Sequence, residues 1–98
     1  MEVFDLRAIG QTLTNSGIVN AMDDTTLELF DGNGNSVSFN DNWRDTQGFD
    51  IENSGLAPGG ERESAILTTF QAGNAYTAIV RGKNGQSRVA LVEAYTLP

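Results

Sequence analysis

With 98 residues, 39% hydrophobic content and a net charge of −7 from 13 acidic and 6 basic side chains, the chain suits one domain around one core, and its charge would repel nucleic acid. Cysteine and histidine are both absent, which excludes disulfide staples and thiol chemistry and removes the commonest general base and zinc ligand. No apolar run reaches the ~20 residues of a transmembrane helix, so membrane insertion is not expected either.

The first predicted strand runs from Val3 to Ile9, with Phe4, Leu6 and Ala8 on one face and Val3, Asp5, Arg7 and Ile9 on the other. From Gly10 to Thr25 the periodicity lapses apart from Leu13, Ile18, Val19 and Met22, which predicts a connection containing one helical turn and closed by Asp23 and Asp24. Thr26 to Trp43 then reads as two alternating strands joined by Asp31-Gly-Asn-Gly-Asn35, a β-hairpin. Leu27, Leu29 and Asp31 share one face, Val37 and Phe39 repeat the pattern on the return, and Gly32, Asn33 and Gly34 supply the left-handed backbone of the turn.

Residues 44–60 are rich in turn formers, with Phe49, Ile51 and Leu56 as isolated anchors, and predict a long crossing loop. Glu63 to Phe70 and Ala75 to Arg81 both alternate and are separated by Gln71-Ala-Gly-Asn74, which predicts a second hairpin. Asn84-Gly85 marks the next turn, and Arg88 to Leu97 forms a last strand whose two largely apolar faces call for a central or covered place. Six short strands with almost no helical periodicity give an all-β fold, an antiparallel β-sandwich or small jelly roll in a single domain over 1–98.

Asp31-Gly-Asn-Gly-Asn35 opens like the loop that wraps calcium between helices, but Ser36 and Asn42 stand where that loop needs its glycine and its bidentate glutamate. Two readings of the tip remain. Asp31, Asn33, Asn35 and Asp41 could together hold Ca2+, or the Asn and Asp side chains serve the turn itself. Trp43, beside Asn40-Asp-Asn42, is either a platform for a sugar ring or a core anchor beneath the crossing loop, and Tyr76 and Tyr95 read as core residues with rim hydroxyls. Ser64 has no histidine to activate it, and Glu61 and Glu63 read as solvated charges on a strand edge, one of them paired with Arg62, so no enzyme activity is expected. Residues 1–63 hold 12 acids and 3 bases and residues 64–98 hold 1 acid and 3 bases, a −9 to +2 contrast that either favours head-to-tail contact between copies or reflects solvated loop charges with no partner.

Thr26-Leu-Glu-Leu-Phe-Asp-Gly-Asn-Gly-Asn35, Asn40-Asp-Asn-Trp43, Gly55-Leu-Ala-Pro58, Arg62-Glu-Ser-Ala-Ile66, Ala75-Tyr-Thr-Ala-Ile-Val-Arg-Gly82 and Val89-Ala-Leu-Val-Glu-Ala-Tyr95 follow one another in an order that resembles a repeated domain of large secreted bacterial proteins. That domain is similar to bacterial pre-peptidase C-terminal domains. The resemblance spans about Leu6 to Leu97 and implies an extracellular or cell-surface accessory module that attaches to surfaces, binds a polysaccharide or protein polymer, or assembles. Some such modules hold calcium. Thr25, and Gln11-Thr12, depart from prolines and a Pro-Ser pair common in the pattern. The pattern also carries strands upstream of Val3, so either a second copy covers the exposed sheet edge by strand addition or a swapped first strand, giving a homo-oligomer, or the first strand finishes a smaller sandwich.

Overall fold

The computed structural model describes residues 2–70, 75–83 and 89–97. Its elements are β1 (Glu2–Ile9), α1 (Gln11–Asn15), β2 (Thr25–Asp31), β3 (Ser36–Asn40), α2 (Arg44–Ser54), β4 (Ser64–Phe70), β5 (Tyr76–Gly82) and β6 (Leu91–Leu97). The strands form two antiparallel three-stranded sheets, ordered β4-β1-β6 and β3-β2-β5, which makes the domain an all-β sandwich.

The alternation of β1 and β2 decides which faces meet. Leu6 and Ala8 of β1, Leu27 and Leu29 of β2 and Ile66 of β4 form the buried inter-sheet core, and Phe70, Tyr76 and Val80 pack against it. The Phe70 ring lies 4.9 Å from Phe4 and 4.4 Å from Tyr76, so three rings bridge the two sheets beside that core. Thr25 and Ser64 are fully buried polar residues of the same layer. They satisfy each other at 2.9 Å, and the Thr25 hydroxyl also reaches the Ala8 carbonyl at 3.0 Å.

Four sequence expectations change. The crossing loop contains an eleven-residue helix, α2, broken at Gln47 (φ −121°, ψ 31°) and stopped by the left-handed Gly55 (φ 78°). It lies against the outer face of the first sheet, where Trp43, Ile51 and Ala65 form a second core with Ala57 and Leu67, while Phe49 stays 78% exposed. β4 and β5 do not make a hairpin, because β4 pairs with β1 and β5 with β2. The first strand is the centre of its sheet and β6 is an edge, the reverse of the expected places. The turns at 71–74 and at Asn84-Gly85 lie outside the described residues.

The β2–β3 hairpin forms as expected, but only Gly34 (φ 83°) uses left-handed backbone in its turn. Its register opposes Leu27 with Asn40 and Leu29 with Ser38, and a bulge follows between Leu29 and Phe30. Val37 and Phe39 therefore face outward, 50% and 52% exposed, instead of joining Leu27 and Leu29 inside.

Candidate functional site

At the hairpin tip, one oxygen of Asp31, Oδ1, accepts the backbone N–H groups of Asn33 and Asn35 at 2.9 and 3.0 Å, and the Asp31 carbonyl accepts Gly34 N–H at 3.1 Å. Those donors, led by Asn35 N–H, hold the carboxyl below the usual carboxylate range. The side chain is closing its own turn. Asn33 and Asn35 are exposed beside it, while Asp41 sits past the other end of β3, five strand residues or roughly 17 Å away. The four residues expected around one calcium ion are thus divided between opposite ends of the hairpin, and they do not fit a shared ion. Among the described residues, no group of three or more His, Cys, Asp or Glu side chains is arranged to hold a metal.

Asp41 belongs to a different cluster. Its Oδ2 accepts Lys83 Nζ at 2.7 Å, and its carbonyl accepts the Ser64 hydroxyl at 2.9 Å. Desolvation, then hydrogen bonding and charge contact with Asp41, raise the pKa of Asp24, against the pull of Lys83 and Arg62. Asp24 Oδ1, Asp41 Oδ1 and Asn42 Oδ1 are buried atoms with no donor among the described residues, and Lys83 and Arg62 supply the positive charge beside this carboxylate pair.

Trp43 is 3% exposed, its indole N–H donates to the Gly60 carbonyl at 3.2 Å, and the Arg44 guanidinium stacks 4.3 Å from its ring. A ring packed against Ile51 and Ala65 offers no face to a sugar, so the platform reading is replaced by the core-anchor one. Ser64 is fully buried and engaged with Thr25 and Asp41, which leaves it no path to a substrate.

Two carboxylates carry more than their sequence context announces. Glu63, expected on a solvated edge, is fully buried: Oε2 accepts Gly10 N–H and Thr12 N–H at 2.9 and 2.8 Å, and Oε1 accepts the Thr12 hydroxyl and Gly60 N–H at 2.6 and 2.7 Å. It caps the start of α1 from across the fold. Glu61 pairs with Arg44 instead, and Arg62 with Asp23. The signal was the glycines Gly10 and Gly60, which come close around it. A Cβ on Gly10 would stand 2.1 Å from the Met22 carbonyl, and one on Gly60 3.1 Å from Glu63 Oε1.

Asp5 is the other. It is fully buried on the outward face of β1, opposite Leu67 and Tyr95, and neither carboxylate oxygen has a hydrogen-bond partner among the described residues. Burial pushes its pKa up to about 6, Arg7 opposing and Glu93 adding. Glu93 goes the other way: burial raises it, but hydrogen bonds from Arg7 and Tyr95 and the Arg7 charge outweigh that, and it ends below its usual value. Arg7 also donates to the Leu56 and Ala57 carbonyls at 3.1 and 3.4 Å, tying β1 to the segment after α2.

The surface best suited to a partner is the outer face of β3-β2-β5. Glu28 faces Phe39 on β3 and Ile79 on β5, and Phe30 faces Thr77, so Val37, Phe39, Phe30 and Ile79 share this side. An open groove of about 380 Å³ runs along it at the tip end, lined by Phe30, Asp31, Gly32, Gly34, Ala75, Thr77 and Ile79. The Glu28–Arg81 ion pair, at 3.3 Å, lies on this face, with Glu28 between Phe39 and Ile79. α2 covers the corresponding face of the first sheet, whereas no described helix covers this one. No helix among the described residues is long and apolar enough to cross a membrane.

The sandwich and this uncovered face define the chain only as far as an all-β module. No family model matches it, and comparison with curated proteins and with solved structures returned no match.

Proposed function

We propose that this chain is a non-catalytic accessory module of an extracellular or cell-surface protein, and that it attaches its owner to a polymer through the outer face of β3-β2-β5. The observation that carries the reading is the asymmetry of the two outer faces. One is sealed by α2 over Trp43 and Ile51, while the other leaves Val37 and Phe39 half exposed beside an open groove. Apolar side chains held half-exposed on a rigid sheet around the Glu28–Arg81 ion pair are suited to a ligand that brings both apolar surface and polar groups. The motif resemblance from Leu6 to Leu97 supports the accessory role and the extracellular setting.

The test is retention on insoluble polymers: cellulose, chitin, peptidoglycan sacculi and collagen fibrils. The wild-type chain should co-sediment with one class, and Phe39→Lys, which alters a half-exposed residue and should keep the fold, should release it. Absence from every pellet, or retention that Phe39→Lys leaves intact, contradicts the assignment.

A further inference from the structure

The two edges of the β4-β1-β6 sheet differ. Along β4, Asn40 Oδ1 accepts Ala65 N–H at 3.0 Å, and the Gln47 amide accepts Leu67 N–H at 2.9 Å and donates to the Leu67 carbonyl at 3.0 Å. Side chains thus occupy the backbone groups that an added strand would use. Along β6 there is no such protection among the described residues. The strand pairs with β1 alone, contains no Pro, Gly, Lys or Arg, and exposes Leu91 by 45% and Val92 by 51%. Its one charge is turned to its own sheet, where Arg7 Nε donates to Glu93 at 3.0 Å and the Tyr95 hydroxyl donates at 2.9 Å. The second sheet packs over β1 and β4, so the inward-facing Val92 and Ala94 overhang it.

We infer that β6 pairs antiparallel with β6 of a second copy, joining the two three-stranded sheets into one of six strands. This goes beyond the attachment role, which uses the other sheet. An open edge takes an extended strand, and antiparallel self-pairing closes a dimer with a single surface. Charge rules out one register, and the inferred pair takes the one centred on the next residue. A two-fold axis at Glu93 would oppose two carboxylates, whereas an axis at Ala94 places Glu93 opposite the partner's Tyr95 and Ala94 opposite the partner's Ala94. The acidic excess lies elsewhere, since residues 64–98 carry 1 acid and 3 bases.

Sedimentation of the full chain from micromolar to millimolar concentration should show a species of twice the 10.5 kDa chain mass. Ala94→Lys, which sets like charges against each other on the axis, should return it to chain mass, while Phe39→Lys should leave the doubling intact. Because the chain has no cysteine, Ala94→Cys gives a second arm that does not depend on the lysine variant folding: oxidation should link two copies through residue 94. Chain mass at every concentration, doubling that survives Ala94→Lys, or failure of Ala94→Cys to cross-link would overturn the inference.

Discussion

Replacing Asp5 by Asn should shift the stability of the domain in favour of the variant as the pH rises. Asp5 is fully buried with both oxygens unpartnered among the described residues, and its pKa moves from 3.8 to about 6 on folding, chiefly through desolvation. A pKa raised in the folded state means that the fold prefers the neutral acid. That preference is fully satisfied below the unfolded value of 3.8 and is lost as the pH rises through about 6. At about 1.36 kcal/mol per pH unit, the ionised form costs the folded state about 3 kcal/mol at neutral pH. An Asn side chain has nearly the same shape and no charge, so it escapes this cost. Its amide is itself buried, which adds a fixed penalty of about 1–3 kcal/mol at all pH values. The pH-dependent part is therefore what isolates the effect. Urea unfolding of wild type and Asp5→Asn at pH 4, 6 and 8 should show the stability difference moving in favour of the variant by about 2.4 kcal/mol between the extremes, a large fraction of the roughly 5–15 kcal/mol of a typical domain. A difference that stays constant across this range would refute the buried, unpartnered carboxyl as the source.

Other outcomes follow from the same geometry. Glu63→Ala strands the N–H groups of Gly10, Thr12 and Gly60 and should cost at least about 3 kcal/mol in urea unfolding, whereas Glu61→Ala, on an exposed pair with Arg44, should stay within about 0.5 kcal/mol of wild type. Because Asp31 spends Oδ1 on its own turn and Asp41 sits on Lys83, the thermal midpoint should be the same in calcium and in chelator; a rise in calcium that Asp31→Ala abolishes would restore the ion-binding reading of the tip. Trp43, being 3% exposed, should be poorly quenched by iodide and should keep its emission unchanged on addition of polysaccharide.

What was legible in the sequence was local. The alternation in β1, β2 and β4 and the Asp31–Asn35 turn announced strands and a hairpin, and the gap in periodicity after Gly10 left room for α1. α2 was hidden because Ile51 is its only buried residue, Gly48 lowers its helix propensity and Phe49 points outward, so it lacks an apolar stripe. Strand partners were hidden for another reason. β4 and β5 are separated by a short, turn-like sequence, yet each finds its partner in a different sheet, a choice made by packing and not by the connecting residues. The apolar two-sidedness of β6 was visible, but it marks an overhanging edge and not a central strand.

At the site, residue types were readable and distances were not. The chain order Asp31, Asn33, Asn35, Asp41 suggests a cluster until β3 carries Asp41 to the far end of the hairpin. Glu63 looks like its solvated neighbour Glu61 until Gly10, Thr12 and Gly60 converge on it. Val37 and Phe39 have the spacing of core residues, and the register of the hairpin is what turns them to the surface.

The most direct test of the attachment role is amide chemical-shift mapping of the full chain against a soluble fragment of whichever polymer retains it. Shifts concentrated at Phe30, Val37, Phe39, Thr77 and Ile79 are the predicted result. Shifts concentrated on α2 and the loop after it, with the β3-β2-β5 face unmoved, would contradict it.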